Sequence, residues 1–172
     1  GKLYFVDRKG QVVIQPGDYD AGEMDKVNGL LALKDNSTDK WGIFDVSTGK
    51  QVVSFKYDAV SFAGTNRLVV VKDNVKNLID MTSGKSMYAA QTEATIEPFN
   101  NDTVTWVHTG KDGYTIIDND GHVLFRDTNK VIEDAKSFNH GFSSVKSKGK
   151  WGIMNSKGEW IVQPTYDAVN VL

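Results

Sequence analysis

Five acidic residues recur in step along the chain, each followed by alanine: Asp20-Ala21, Asp58-Ala59, Glu93-Ala94, Asp134-Ala135 and Asp167-Ala168. A row or ring of such acids could bind cations or line a channel. Two of them at a separation of roughly 5 or 9 Å could act as acid and base in glycoside hydrolysis. The same carboxylates could instead accept backbone N–H bonds at tight turns and fix the geometry of a repeated unit. A feature that recurs in every unit usually serves the unit, so the structural role is the expected one. Three histidines, His108, His122 and His140, stand 14 and 18 residues apart. That spacing matches no metal-ligand motif, and neither a metal nor a cofactor is expected. Trp106 and His108 lie close together in Val104-Thr105-Trp106-Val107-His108. Trp106 is either core, the commoner fate of tryptophan, or exposed and able to stack on a sugar ring or anchor a partner. Trp106 and His108 are therefore the candidate ligand contacts.

Composition removes other chemistries. The chain has no cysteine, which excludes disulfides, thiolate metal sites and Cys nucleophiles. Its 20 basic and 22 acidic side chains are well mixed and give a net charge of −2. That balance carries no footprint for nucleic acid or an anionic membrane. No apolar run approaches the roughly 20 residues of a membrane span, and membrane insertion is not expected. No signal peptide opens the sequence, so the expectation is a cytosolic protein or one whose leader has been removed. No Gly-x-Ser-x-Gly elbow, phosphate-cradling loop, HExxH or EF-hand pattern is present.

The acids sit in a repeat. Turn glycines Gly10, Gly49, Gly84, Gly121 and Gly158 are spaced by 39, 35, 37 and 37 residues. Each closes a turn that opens on Asp or Asn: DRKG, DVSTG, DMTSG, DNDG and NSKG. Asp and Asn bond back to nearby amides and Gly accepts positive φ, which is the chemistry of hairpins. Each unit reads as three short strands: an apolar first strand such as LLALK, RLVVVK or FSSVK, a second that carries the Trp-Gly pair or its replacement and leads into the turn, and a third after it such as QVVSF or EWIVQP. Adjacent apolar residues, as in Ile43-Phe44, Leu78-Ile79, Ile116-Ile117 and Ile153-Met154, point to opposite faces of a strand. Both faces of each small sheet must then be covered by other sheets.

Two copies are the most regular, KWGIFDVSTGKQVVSFKYDAV from Lys40 and KWGIMNSKGEWIVQPTYDAV from Lys150. With Trp41-Gly42 and Trp151-Gly152 the chain resembles the WG-repeat family. The pair is replaced by Leu3-Tyr4, Lys76-Asn77 and Tyr114-Thr115 in the other copies. The resemblance implies a repeat scaffold, mostly bacterial and often of the cell envelope or secreted, that serves as an interaction module and carries no catalytic residue.

The expected fold is all-β, a single domain over 1–172 of five tandem β-meander repeats of about 37 residues. Approximate repeats are 1–28, 29–65, 66–101, 102–140 and 141–172. A propeller-like arrangement is expected first and an open superhelical stack second, with helix below about 10%. Trp41 and Trp151 are expected in the core, and Gly42 and Gly152 where close packing excludes a Cβ. The expected function is a non-catalytic binding or scaffolding module for a protein or glycan ligand in the bacterial envelope or outside the cell. It is expected to act as a monomer or as part of a longer array. The rival readings are a carboxylate-dependent hydrolase and a plain structural spacer. The segments Lys34 to Lys40, Glu97 to Asp102 and Arg126 to Ile132 differ most between copies and are the loops where a ligand is expected.

Overall fold

The turns set the fold. In this computed structural model, which describes residues 2–110 and 113–172, each repeat turn is held by its opening Asp or Asn. Asp45 Oδ1 accepts from the amide N–H groups of Ser47 (2.8 Å) and Thr48 (3.3 Å) and from the Ser47 hydroxyl (2.6 Å). Gly49, at φ 73°, donates its N–H to the Asp45 carbonyl. The shorter turn at Asn155 does the same work with one residue fewer. Its Oδ1 accepts from Lys157 and Glu159 N–H, both at 3.0 Å, and Gly158 donates to its carbonyl. Asp7 and Asp118 repeat the short form and Asp80 the long one.

These hairpins assemble into five antiparallel sheets in which strands follow chain order. The first is a hairpin, β1 (Leu3–Val6) and β2 (Val12–Gly17). The second holds β3 (Tyr19–Asp25), β4 (Leu30–Asp35), β5 (Lys40–Asp45) and β6 (Gln51–Tyr57). The third holds β7 (Ala59–Gly64), β8 (Arg67–Lys72), β9 (Val75–Asp80) and β10 (Ser86–Gln91). The fourth holds β11 (Thr95–Ile96), β12 (Val104–Thr109), β13 (Gly113–Asp118) and β14 (Val123–Arg126). The fifth holds β15 (Asp134–Ala135), β16 (Phe142–Ser147), β17 (Lys150–Asn155) and β18 (Trp160–Tyr166). No helix occurs among the described residues. The acid-Ala pairs fall where one sheet ends and the next begins, so the expected repeats and the observed sheets are two phases of one period. The fold is all-β and propeller-like, a succession of blade-shaped meanders.

The chain forms two compact units, Gly1–Ala89 and Ala90–Leu172. In the first, the second sheet is covered on both faces. Leu31, Leu33 and Phe44 pack with Ile14 of the first hairpin, while Ala32, Ile43, Val53 and Tyr57 pack with Leu68, Val70 and Ile79 of the third sheet. This is the two-faced burial that the apolar doublets demand. In the second unit, Val104, Trp106 and Ile116 of the fourth sheet pack against Val145 and Met154 of the fifth, with Ile132 and Phe138 closing the edge.

Candidate ligand-binding cleft

Four of the five acid-Ala carboxylates take structural partners. Asp58 pairs with Lys40 Nζ and accepts the Asp73 N–H at 3.3 Å. Asp167 pairs with Lys150 in the same way. In both regular copies the lysine before Trp-Gly thus reaches the acid after the tyrosine, and the strand register places Trp41 opposite Tyr57 and Trp151 opposite Tyr166. The lysine hydrogen bond holds the carboxyls of Asp58 and Asp167 below their usual range, the opposite of what a general acid needs. Asp20 lies 3.5 Å from Lys34 and also takes an Asn36 amide bond. Asp134 accepts the N–H of Ala135 at 2.8 Å, and Glu93 is exposed.

The tryptophans depart from the expectation. Trp41 and Trp151 are half-buried. They sit near the start of their strands, where Trp41 lies over Gly22 and Trp151 lies under the Lys136 ammonium, 5.1 Å from the ring centre. The fully buried tryptophan is Trp106, at 1% exposure, opposite Ile116 in the middle of the fourth sheet. Its indole N–H donates to Ser143 Oγ at 2.9 Å and its ring stacks on Phe138 at 5.3 Å. Trp106 is therefore core and does not touch a ligand directly. The glycines conform to the expectation. A Cβ on Gly42 would lie 2.6 Å from the Val53 carbonyl oxygen, and one on Gly152 would lie 2.3 Å from that of Val162.

His108 lies two residues further along β12, on the same face as Trp106 but at its rim. It lines a cleft of about 290 Å³ with Thr109, Gly110, Gly113, Tyr114, Lys130, Ile132 and Glu133. The His108 ring stacks on Tyr114 with centroids 5.0 Å apart, and Tyr114 meets the buried Trp106 edge-on at 5.7 Å. Trp106 supports the cleft from beneath. His108 Nε2 lies 2.9 Å from Glu97 Oε1. Partial burial, with the charges of Asp134 and Glu97, raises the Tyr114 phenol above its usual range, so it stays protonated and able to donate. The far wall is the loop after β14, pinned by buried Asp127, whose carboxylate accepts the N–H groups of Val131 (3.2 Å) and Ile132 (2.8 Å). Two of the three loops singled out in the sequence, those holding Glu97 and Lys130, therefore meet here, while Lys34 to Lys40 lies in the first unit.

The cleft lies where the fourth copy departs from the repeat. Gly113-Tyr114-Thr115 stands where the regular copies have Lys-Trp-Gly, and Glu133-Asp134-Ala135 where they have Tyr-Asp-Ala. Tyr114 and Glu133 were legible as repeat departures, but their convergence with His108 required the sheet register.

Among the described residues, one group has the composition of a metal site: Asp118, Asp120 and His122, with ligand atoms within 4.8 Å of one another. It is the short repeat turn itself. Asp118 Oδ1 is engaged by the N–H groups of Asp120 and His122, and its Oδ2 lies 3.0 Å from His122 Nδ1. His140 is exposed in the bend before β16.

The profile of the WG containing repeat matches residues 5–38, 41–75 and 151–171, more than half of the chain. The chain belongs to the WG-repeat family. The cleft lies wholly in the stretch between the second and third matched segments, where the WG pattern fades. No curated protein matches the WG-repeat chain by sequence. Solved structures share its fold at low identity. Hsv2 of Kluyveromyces lactis, with a Gly-Ser linker in place of loop 6CD, aligns over 92% of this chain and 58% of its own at a TM-score of 0.55 and 14% identity. A eukaryotic initiation factor aligns over 90% of this chain and 46% of its own, at 0.60 and 10%. A HIRA fragment aligns over 87% and 56%, at 0.52 and 10%. The chain spans about half the length of these structures. At such identities the likeness is one of fold alone.

Proposed function

We propose that this WG-repeat protein is a non-catalytic binding module that takes a glycan in the cleft at His108 and Tyr114. The observation that carries the reading is that the cleft is lined by the stacked rings of His108 and Tyr114, with Tyr114 at the tryptophan position of the repeat. The ring pair supplies a flat apolar surface. Lys130 and the second carboxylate oxygens of Glu97 and Glu133, whose Oε1 atoms are engaged by His108 and by the Gly149 N–H, add mixed polar groups around the Tyr114 hydroxyl, which lies 3.5 Å from the Glu133 carbonyl, and this suits the hydroxyls of a sugar. A volume of about 290 Å³ is at the small end of ligand pockets, roughly 300–1,000 Å³, and favours a short sugar segment over a protein loop. The non-catalytic part rests on the repeat carboxylates Asp58 and Asp167, held ionised by Lys40 and Lys150, on Asp20, placed beside Lys34, and on Asp134, which accepts a backbone N–H.

A glycan array probed with the parent and with His108→Ala and Lys130→Ala tests this. Both variants should lose binding by about tenfold, the effect of one contact of about 1.4 kcal/mol. A ligand captured only in a protein pull-down, an array with no hit, or turnover of any sugar substrate overturns it.

A further inference from the structure

The turn between β3 and β4 carries Asn28-Gly29, the one asparagine–glycine pair in the sequence. Such a pair is reactive, because glycine has no Cβ to shield its nitrogen from the side-chain carbonyl of the residue before it. The fold then sorts the asparagines by how firmly their side chains are held. Asn155 Oδ1 accepts the Lys157 and Glu159 N–H groups. Asn66 Oδ1 accepts the Thr82 N–H and hydroxyl, and Asn77 Oδ1 the Ser86 hydroxyl at 2.6 Å. Asn36 is half-buried, with its amide bonded to Asp18 and Asp20. Each of these side chains must give up such bonds before it can turn onto the next backbone nitrogen.

Asn28 is exposed. Its side chain makes a single bond, from Nδ2 to Asp25 Oδ2 at 2.8 Å. Among the described residues, its Oδ1 accepts no hydrogen bond and the Gly29 N–H donates none. Asp25 Oδ1 shapes the turn by accepting the Val27 and Asn28 N–H groups, both at 3.1 Å. Gly29 sits at φ 66°. The carbonyl to be attacked and the attacking nitrogen are thus open to water, and the nitrogen that must leave lies against a carboxylate, which favours its protonated form.

We propose that Asn28 is a self-modification site, at which the chain ages into a more acidic form. The Gly29 nitrogen gives its proton to water and bonds to Asn28 Cγ. The Cγ–Nδ2 bond breaks, and Nδ2 takes a proton from water and leaves as ammonia. Water then opens the cyclic imide at either carbonyl, giving aspartate or, with the backbone rerouted through the side chain, isoaspartate. The net reaction consumes one water and releases one ammonia, with no oxidation or reduction. The product replaces the donor that Asp25 accepts by a second carboxylate. Isoaspartate also lengthens the backbone just before Gly29, whose carbonyl accepts the Val46 N–H at 2.9 Å and ties this turn to the one after β5.

Incubation of the parent for several weeks in mildly alkaline buffer tests the proposal, read by peptide mass spectrometry and by enzymatic methylation of isoaspartate. Asn28 should convert at least about tenfold faster than any other asparagine, a barrier lower by about 1.4 kcal/mol. Both aspartate and isoaspartate should form there. Asn28→Gln keeps an amide but must close a larger ring, and the fast conversion should be lost. If circular dichroism shows that this variant does not fold, Asn28→Ser replaces it. In the aged parent the Val46 N–H should exchange faster with solvent than in the fresh protein. Conversion at Asn28 no faster than at exposed Asn101 or Asn139, ammonia release without isoaspartate, or fast release that persists in the variant overturns the proposal. Unchanged exchange at Val46 overturns the effect on the turn.

Discussion

The second and fifth sheets share Lys-Trp-Gly-Ile and Tyr-Asp-Ala, with Ile43 opposite Val53 and Ile153 opposite Val162, yet Ile43 is 0% exposed while Ile153 is half-buried. The lysine–aspartate pair and the close approach of the strand glycine to a backbone carbonyl recur in both, while the turn is one residue shorter in the fifth. The repeat sequence therefore specifies what lies within a sheet, and the neighbouring sheet specifies how deeply its residues are buried. Stability in such an array is a sum of unit and interface terms, and these two sheets separate the terms.

The largest expected effect strips the two faces of the fifth sheet in turn. Trp106→Ala opens a cavity against its inner face and should cost about 3–5 kcal/mol. Trp151→Ala, on the outer face, should cost no more than about half of that, because the ring is already half in solvent. Urea unfolding followed by circular dichroism measures both. Next, Ile43→Ala should cost about 2–4 kcal/mol and Ile153→Ala about 1. Equal shifts in midpoint for that pair would break the comparison. Gly42→Val and Gly152→Val come third, at about 1–3 kcal/mol each. Gly152→Val should cost at least as much as Gly42→Val, since a Cβ on Gly152 meets only backbone atoms of its own sheet while one on Gly42 meets the Val53 carbonyl together with the Gln51 and Phe55 side chains.

The smallest effect is electrostatic. Asp58 and Asp167 are held below their usual range by Lys40 and Lys150. A carboxylate with a depressed folded-state pKa stabilises the fold above its unfolded value and loses that contribution as pH falls through the folded one. Stability should therefore decline below about pH 4. Lys40→Met and Lys150→Met should each flatten that decline by a similar amount. Both pairs lie at the surface, and salt should weaken them. A pH titration of the urea midpoint for the parent and both variants measures it.

Much of this was legible in the sequence. The turn residues Asp45 and Asn155 with Gly49 and Gly158 announced hairpins, and doublets such as Ile43-Phe44 announced sheets covered on both faces. Gly42 and Gly152 were readable as close-approach points because glycine inside a strand needs a reason. Burial depth was not legible. Trp41 and Trp151 occupy the signature position and invited a core assignment, but their place near the strand start leaves them half-open. Trp106, outside the signature, lies mid-strand opposite Ile116 and is core. The cleft was half-visible: His108 and two of its loops were singled out, whereas Tyr114 and Glu133 read only as degenerate repeat positions. Their meeting depends on β12 and β13 pairing His108 with Tyr114, and one-dimensional spacing does not display that pairing.

The claim that neighbours, and not the repeat itself, decide burial is tested most directly by tyrosine nitration in dilute solution, read by peptide mass spectrometry. Tyr57 and Tyr166 occupy the same repeat position at 6% and 54% exposure. The account predicts rapid nitration of Tyr166 under native conditions, with Tyr57 protected until the fold is lost. Equal nitration rates at the two tyrosines would contradict it.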